Sequence, residues 1–403
     1  MTRLTPVTAF ENAASPVGAA NGAIGADAGI APARRPAVSL EIFSDPAAIE
    51  SEWRRFEQIA DCTAFQTFDW LALWYRHVGP RQRARAAVVV ARFGDGGIAF
   101  IAPLCVMPKW GMRRLGWLGQ DLCDYNGPLL APDFAERIGP DEFMAAWRAM
   151  QRQIRYDPRL RFDWIEFEKM PQKIGAQNNP FMRLAVTPNP NGAHLTHLSA
   201  NWEEFYMARR STATRRRDRT KRRHMSGHGD IRFATARDAD DSRRTLEILM
   251  EQKGRTFVRK GIADIFERPG YRDFFLAAAT GPNVRHLIHV SRLDIGDTYA
   301  AANLGIVFGD CYYHVLASYS DGSAVSQYGP GALHLRELMA YAIGRGLKRF
   351  DFTIGDEPYK LEWSDTYVAL YDFAAGTTWR GLPAAWWSSA RRRIKRFIKQ
   401  TPA

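Results

Sequence analysis

The chain has 403 residues, 46% of them hydrophobic, and a net charge of +12. That length suits two domains with real cores, and no apolar run reaches the roughly 18 residues of a membrane span. Four scattered cysteines, Cys62, Cys105, Cys123 and Cys311, show no CxxC spacing. They exclude a zinc ribbon and a disulfide framework and predict a reducing, cytoplasmic setting.

Residues 1–36 are rich in Ala, Gly and Pro, lack a signal-peptide core and predict a disordered leader. A first strand is expected over 38–44 and an Asp-capped helix over 45–60, then a second helix over 64–79 that stops at Gly79. Two β-rich runs around Gly94-Asp95-Gly96-Gly97 predict a hairpin. Residues 115–132 read as a Gly/Pro-broken loop, 142–154 as a helix and 162–170 as a strand. The Pro/Asn/Gly cluster that follows places a boundary near 187–193, giving domains 37–190 and 191–380 and a tail, 381–403.

The second half is expected to run as one helix over 201–225, a strand at 230–236 and helices at 238–257 and 270–280. Strands follow at 284–293, 298–310 and 311–320. The turn Gly329-Pro330-Gly331 then opens a helix whose apolar face is Leu335, Leu338, Met339, Ala342 and Ile343, ended by Gly344 and Gly346. A strand at 348–355, a short helix at 357–363 and a strand at 367–375 complete an α+β fold with a mixed sheet. A crossover helix of that length permits a parallel strand pair.

The charge is local. Residues 209–223 hold nine basic residues and one acid, and 391–399 hold six more basic residues. The rest is near neutral, so the basic character belongs to two devices. The pairs His194/His197 and His286/His289 have no neighbouring carboxylates in a ligand pattern, and no metal is expected.

Glycines at a helix start let the backbone approach a ligand, and the N–H groups of Gly329, Gly331, Ala332 and Leu333 would be unpaired there. The same arrangement also serves as a plain connection. The order strand, Gly-rich loop, helix, strand, Tyr-Lys helix, strand resembles the coenzyme A half of GNAT acyltransferases. Ser326-x-x-Gly329-x-Gly331 matches that family's Gln/Arg-x-x-Gly-x-Gly/Ala loop at both glycines and departs from it at Ser326. The marks Pro330-Gly331, Asp351-Phe352, Gly355-Asp356, Tyr359-Lys360 and Trp363 resemble the CelD/BcsL-type acetyltransferases of cellulose and exopolysaccharide production. Those enzymes are distant relatives of the FemABX peptidyltransferases. "AFQTFDWLALW" and "DYNGPL" sit at family-like places, and the resemblance spans roughly residues 40–375.

The resemblance implies two tandem GNAT-like domains, with an acetyl-CoA or other acyl-CoA donor bound by the second. Ser326, Gly329, Gly331 and Ala332 would cradle pyrophosphate, and Lys360 would bind donor phosphate or acceptor. Tyr359 would protonate the leaving thiolate or serve as a packing anchor. His314, on one face of its strand with Ser318, would be the base or a core histidine. Gln66, Trp70, Asp124 and Tyr125 would shape the acceptor cleft, with Trp70 and Tyr125 equally readable as core, and Asp351 would line the cleft or cap a loop.

The arginine-rich segment has three readings: a solvated arm, a grip on acidic acceptor groups, or a nucleic-acid contact, which its lack of aromatics disfavours. The tail joins Trp386, Trp387, Ile394, Phe397 and Ile398 to six cations, the composition of an interfacial helix on anionic lipid, or else it docks on its own domain. The expectation is a cytoplasmic acyl-CoA-dependent N- or O-acyltransferase, peripheral on the inner membrane face. It would act on a small-molecule or saccharide acceptor in envelope or exopolysaccharide metabolism. The alternatives are an aminoacyl-tRNA-dependent transferase and a non-catalytic scaffold of polysaccharide synthesis.

Overall fold

A computed structural model describes residues 38–400. The expected leader, 1–36, lies outside the described residues.

The run Arg85–Arg92 is Ala and Val from 86 to 91, buried on both faces, and it is an interior strand of the first sheet, next to its edge. Its neighbours are Ser39–Phe43 on one side and Ile98–Lys109 on the other, then Met112–Trp117, Trp164–Pro171, Leu370–Gly376 and Thr187–Pro188. The second sheet runs Ile231–Thr235, Ile288–Ile295, Thr298–Phe308, Cys311–Tyr319, Arg349–Ile354, Ala193–His197 and Thr366–Val368.

Both sheets follow one plan. Four strands pair antiparallel in chain order, and the fourth then takes a parallel neighbour after a helical crossover. The crossover helix is Pro140–Tyr156 in the first half and Pro330–Gly344 in the second. The chain then crosses between the sheets: a strand that follows the second sheet in sequence extends the first, and one that follows the first extends the second. Leu370–Gly376 pairs with Trp164–Pro171, and Ala193–His197 pairs with Arg349–Ile354. The main core is continuous across the halves, from Trp53 and Phe65 to Phe274, Leu304 and Tyr313.

Four sequence expectations change. Part of the expected loop 115–132 is strand: Met112–Trp117 carries the parallel pair of the first sheet. Ala193–His197, read as part of the boundary cluster, is also a strand. The single helix expected over 201–225 is two, Trp202–Arg209 and Thr212–Ser226, because the Ser211 side chain accepts the Thr214 N–H at 3.2 Å and starts a new helix. The last strand divides into Thr366–Val368 and Leu370–Gly376, one in each sheet.

Candidate active site

Strands Cys311–Tyr319 and Arg349–Ile354 are parallel partners over three residues only, Cys311–Tyr313 against Arg349–Asp351. Beyond them the strands splay. The departure sits at Thr353, whose φ of 59° is a left-handed conformation that a β-branched residue resists. Two bonds hold it there. Thr353 donates its N–H to the Asp351 carboxylate at 2.7 Å and its hydroxyl to the His314 carbonyl at 3.4 Å. The other neighbour, Ala193–His197, shifts register at the same place. Past Tyr313, strand Cys311–Tyr319 is paired only with Thr298–Phe308, so alternate backbone groups face the gap.

Polar side chains from both halves converge here. Tyr125, buried in the first half, donates its hydroxyl to Asp351 at 2.9 Å. Burial pushes the Asp351 carboxyl up to about 7, against the Thr353 N–H and the Tyr125 hydroxyl; nearby Asp124 adds to the rise. Burial likewise raises Asp124, offset in part by Lys169. His314 is buried, and burial, with the charges of Lys360 and Lys253, pushes it down to about 3. An imidazole that stays neutral to that point is a weak proton acceptor.

Tyr359 opens the short helix Pro358–Trp363, edge-on to Phe352. Burial and then Glu357 raise its phenol, which keeps its proton at neutral pH. It is 37% exposed, and its hydroxyl makes no hydrogen bond among the described residues, so it is open to a ligand.

Lys253 was not picked out from sequence. It lies on helix Ala239–Arg259, donates to the Ala317 carbonyl at 3.2 Å, and has its pKa lowered by burial. Glu357, also missed, pairs with Lys360 at 3.0 Å. Neither has a motif signature; only the packing brings them to the splay.

The donor loop is built differently from expectation. Gly329, at φ 73°, caps helix Pro330–Gly344. Three of the four N–H groups expected to be open are bonded within the chain. Gly329 donates to Ser326 at 3.1 Å, and Ala332 and Leu333 both donate to the Gly329 carbonyl, at 3.1 and 3.3 Å. The left-handed Gly329 turns its carbonyl into the first helical turn, which consumes them. The Gly331 N–H has no backbone acceptor among the described residues. Ser326 supplies the carbonyl that closes the loop, and Ala332 is exposed. One N–H at a helix start still fits a phosphate, but with less grip than four.

The basic helix Thr212–Ser226 flanks this loop. His224 stacks on Tyr328 at 5.2 Å, and Asp218 and Arg222 pair with Arg336 and Glu337 of the donor helix, at 2.7 and 2.6 Å. Its opposite face exposes Arg216, Arg217, Arg219, Lys221 and Arg223.

Two further expectations are corrected, and Trp70 takes its core alternative. Lys360 is buried, and its ammonium donates to the Ile354 carbonyl at 2.7 Å and pairs with Glu357, so it fastens the strand end and cannot reach a donor phosphate. Gln66 caps a short turn through Thr63 and donates to the Tyr125 carbonyl at 2.7 Å, so it positions Tyr125 and does not line a cleft. Trp70 is core, edge-on to Phe274 with its indole N–H on the Leu122 carbonyl.

Residues 212–361 match the family described as acetyltransferase (GNAT) domain. No curated protein matches the chain. Among solved structures, FemX is 12% identical, with 80% of this chain and 95% of that one covered and a TM-score of 0.56. A conserved protein of unknown function from Bacteroides thetaiotaomicron is 12% identical, covering 84% and 100%, with a TM-score of 0.53. L-PGS from Bacillus licheniformis is 11% identical, covering 86% and 96%, with a TM-score of 0.50. At such identities the likeness shows the fold alone. Residues 212–361 thus form a GNAT acetyltransferase domain, and the sheet plan repeated in the first half gives the chain a tandem GNAT fold.

Proposed function

We propose that the chain transfers an acyl group from an acyl-CoA directly to an amine or hydroxyl of the acceptor, with no covalent enzyme intermediate. The observation that carries this reading is the splay at Thr353, which opens a one-sided strand edge above a buried polar cluster. The donor supplies an activated thioester. Backbone N–H groups on the open edge of Cys311–Tyr319 polarise its carbonyl. Asp351, poised near neutrality, takes the proton of the attacking amine or hydroxyl; Tyr359 returns a proton to the departing thiolate sulfur. One bond to the carbonyl carbon forms and the C–S bond breaks, with no net redox change.

The resemblance to CelD/BcsL-type enzymes supports a saccharide acceptor in exopolysaccharide, cellulose or envelope metabolism and action on the cytoplasmic side. A second reading, an aminoacyl-tRNA donor, draws on the exposed arginines of the helix that flanks the donor loop. Thermal unfolding separates these. Acetyl-CoA at about 100 times its Kd stabilises a binding protein by about 2.7 kcal/mol. A shift with acetyl-CoA supports the first reading, and a shift with tRNA alone supports the second. No shift with either leaves a scaffold. Mass spectrometry of candidate saccharides incubated with enzyme and acetyl-CoA then identifies the acceptor.

A further inference from the structure

The C-terminal helix, Gly381–Gln400, has two opposed faces. One is docked. Ala384 and Ala385 pack on Trp164, Ser388 donates to Glu166, and the buried Arg392 donates to Glu166 and Glu168 at 3.3 and 3.0 Å. This face carries the only arginine of the helix that is buried among the described residues.

The opposite face repeats Leu382, Trp386 and Ile394 at helical spacing, with Ile398 at its edge and Trp379 just ahead of the helix. All are 58% exposed or more. A helix needs one apolar stripe to dock on its own protein, and here that stripe is spent on the other side. Exposed cations accompany the second stripe: Arg391 and Arg393 along it, Arg380 ahead of the helix and Lys395 toward the docked side. Large apolar side chains left open beside cations form a docking surface whose partner is apolar below and anionic above.

Other occupants fit less well. A second copy would set these cations against their own counterparts. The first 37 residues carry three arginines against two acids, so they offer no negative complement. No helix among the described residues is long and apolar enough to cross a membrane, so a membrane contact through this helix is peripheral.

We infer that this helix seats the protein on an anionic lipid surface, its tryptophans and isoleucines at the acyl boundary and its arginines among the headgroups. The helix is about 30 Å long, enough for a lengthwise interfacial contact.

The test uses the full chain, because truncation would also remove the Arg392 and Ser388 contacts. Co-sedimentation is measured with phosphatidylcholine vesicles with and without phosphatidylglycerol. The wild type should bind the phosphatidylglycerol vesicles and release with rising salt. Trp386→Ser/Ile394→Ser should weaken binding at least about tenfold, and Arg391→Gln/Arg393→Gln/Lys395→Gln should abolish the preference for phosphatidylglycerol. All five side chains are exposed, so melting temperatures should hold. Absence of wild-type binding, or equal binding by the variants, overturns the inference. A wild-type dimer in sedimentation velocity that Trp386→Ser/Ile394→Ser dissolves also overturns it, assigning the stripe to self-association.

Discussion

The proposed proton-transfer roles rest on three residues whose environments pull them apart. His314 and Asp351 face the same splay, yet burial weakens the imidazole as a base and strengthens the carboxylate as one. The rate should therefore follow ionisation of Asp351, falling about tenfold per pH unit below about 7 and levelling above it. Asp351→Asn should lose at least about a hundredfold in turnover and the pH step with it. His314→Gln should keep that step, because the imidazole is already neutral across the range. A step that survives Asp351→Asn would assign the base elsewhere. Tyr359→Phe keeps the ring against Phe352 and removes the proton; turnover should drop about a hundredfold while acetyl-CoA affinity and melting temperature hold. Full activity of that variant would reduce Tyr359 to a packing anchor.

At the scale of elements, the donor loop and its helix set the next test. Gly329 sits at φ 73°, where Ala costs about 1–2 kcal/mol, so Gly329→Ala should lower stability through the cap itself. Gly331 is different. A Cβ there would meet Tyr319 at 3.6 Å, an ordinary contact, so Gly331→Ala should be nearly silent in denaturant melts. Gly331→Val adds branches beside the one open N–H and should weaken acetyl-CoA binding at least about tenfold by calorimetry with the fold intact. Unchanged affinity would remove the phosphate role from this loop. Helix Pro330–Gly344, strand Arg349–Ile354 and the Tyr359 turn were legible in sequence because their signals are local: a 3.6-residue period, flanking glycines, alternating Phe350 and Phe352. Met112–Trp117 was not, since its Arg-Arg-Leu-Gly interior has no strand signature and its pairing is settled by Trp164–Pro171, some fifty residues away. Lys253 was not legible either, because its carbonyl partner, Ala317, is 64 residues along the chain. The loop's donor count was misjudged because a glycine's handedness, which decides where its carbonyl points, is not written in its neighbours.

Across the whole molecule, the site exists only where the halves meet. The chain crosses between the sheets to complete each of them, and the core runs through both. Within that join, Tyr125 of the first half holds Asp351 of the second. The bond is stronger to a carboxylate than to a carboxylic acid, so its contribution depends on pH. Asp351 has a folded pKa of about 7, above the ordinary carboxylate range. The native state therefore binds more protons than the unfolded one between about 4 and 7, and this group's contribution to stability declines as pH rises through that window. Tyr125 limits the decline by favouring the ionised form. Tyr125→Phe leaves a buried carboxylate short of a donor, a loss of about 1–3 kcal/mol where the group is charged. The variant should thus unfold in urea with a small deficit at pH 5 and a larger one at pH 8.5, and Asp351 in it should titrate above its wild-type value. Asp351→Asn, with no charge to satisfy, should make the Tyr125→Phe deficit independent of pH. A Tyr125→Phe deficit that is equal at both pH values in the wild-type background would mean that the two halves are joined here by packing and not by the charged hydrogen bond.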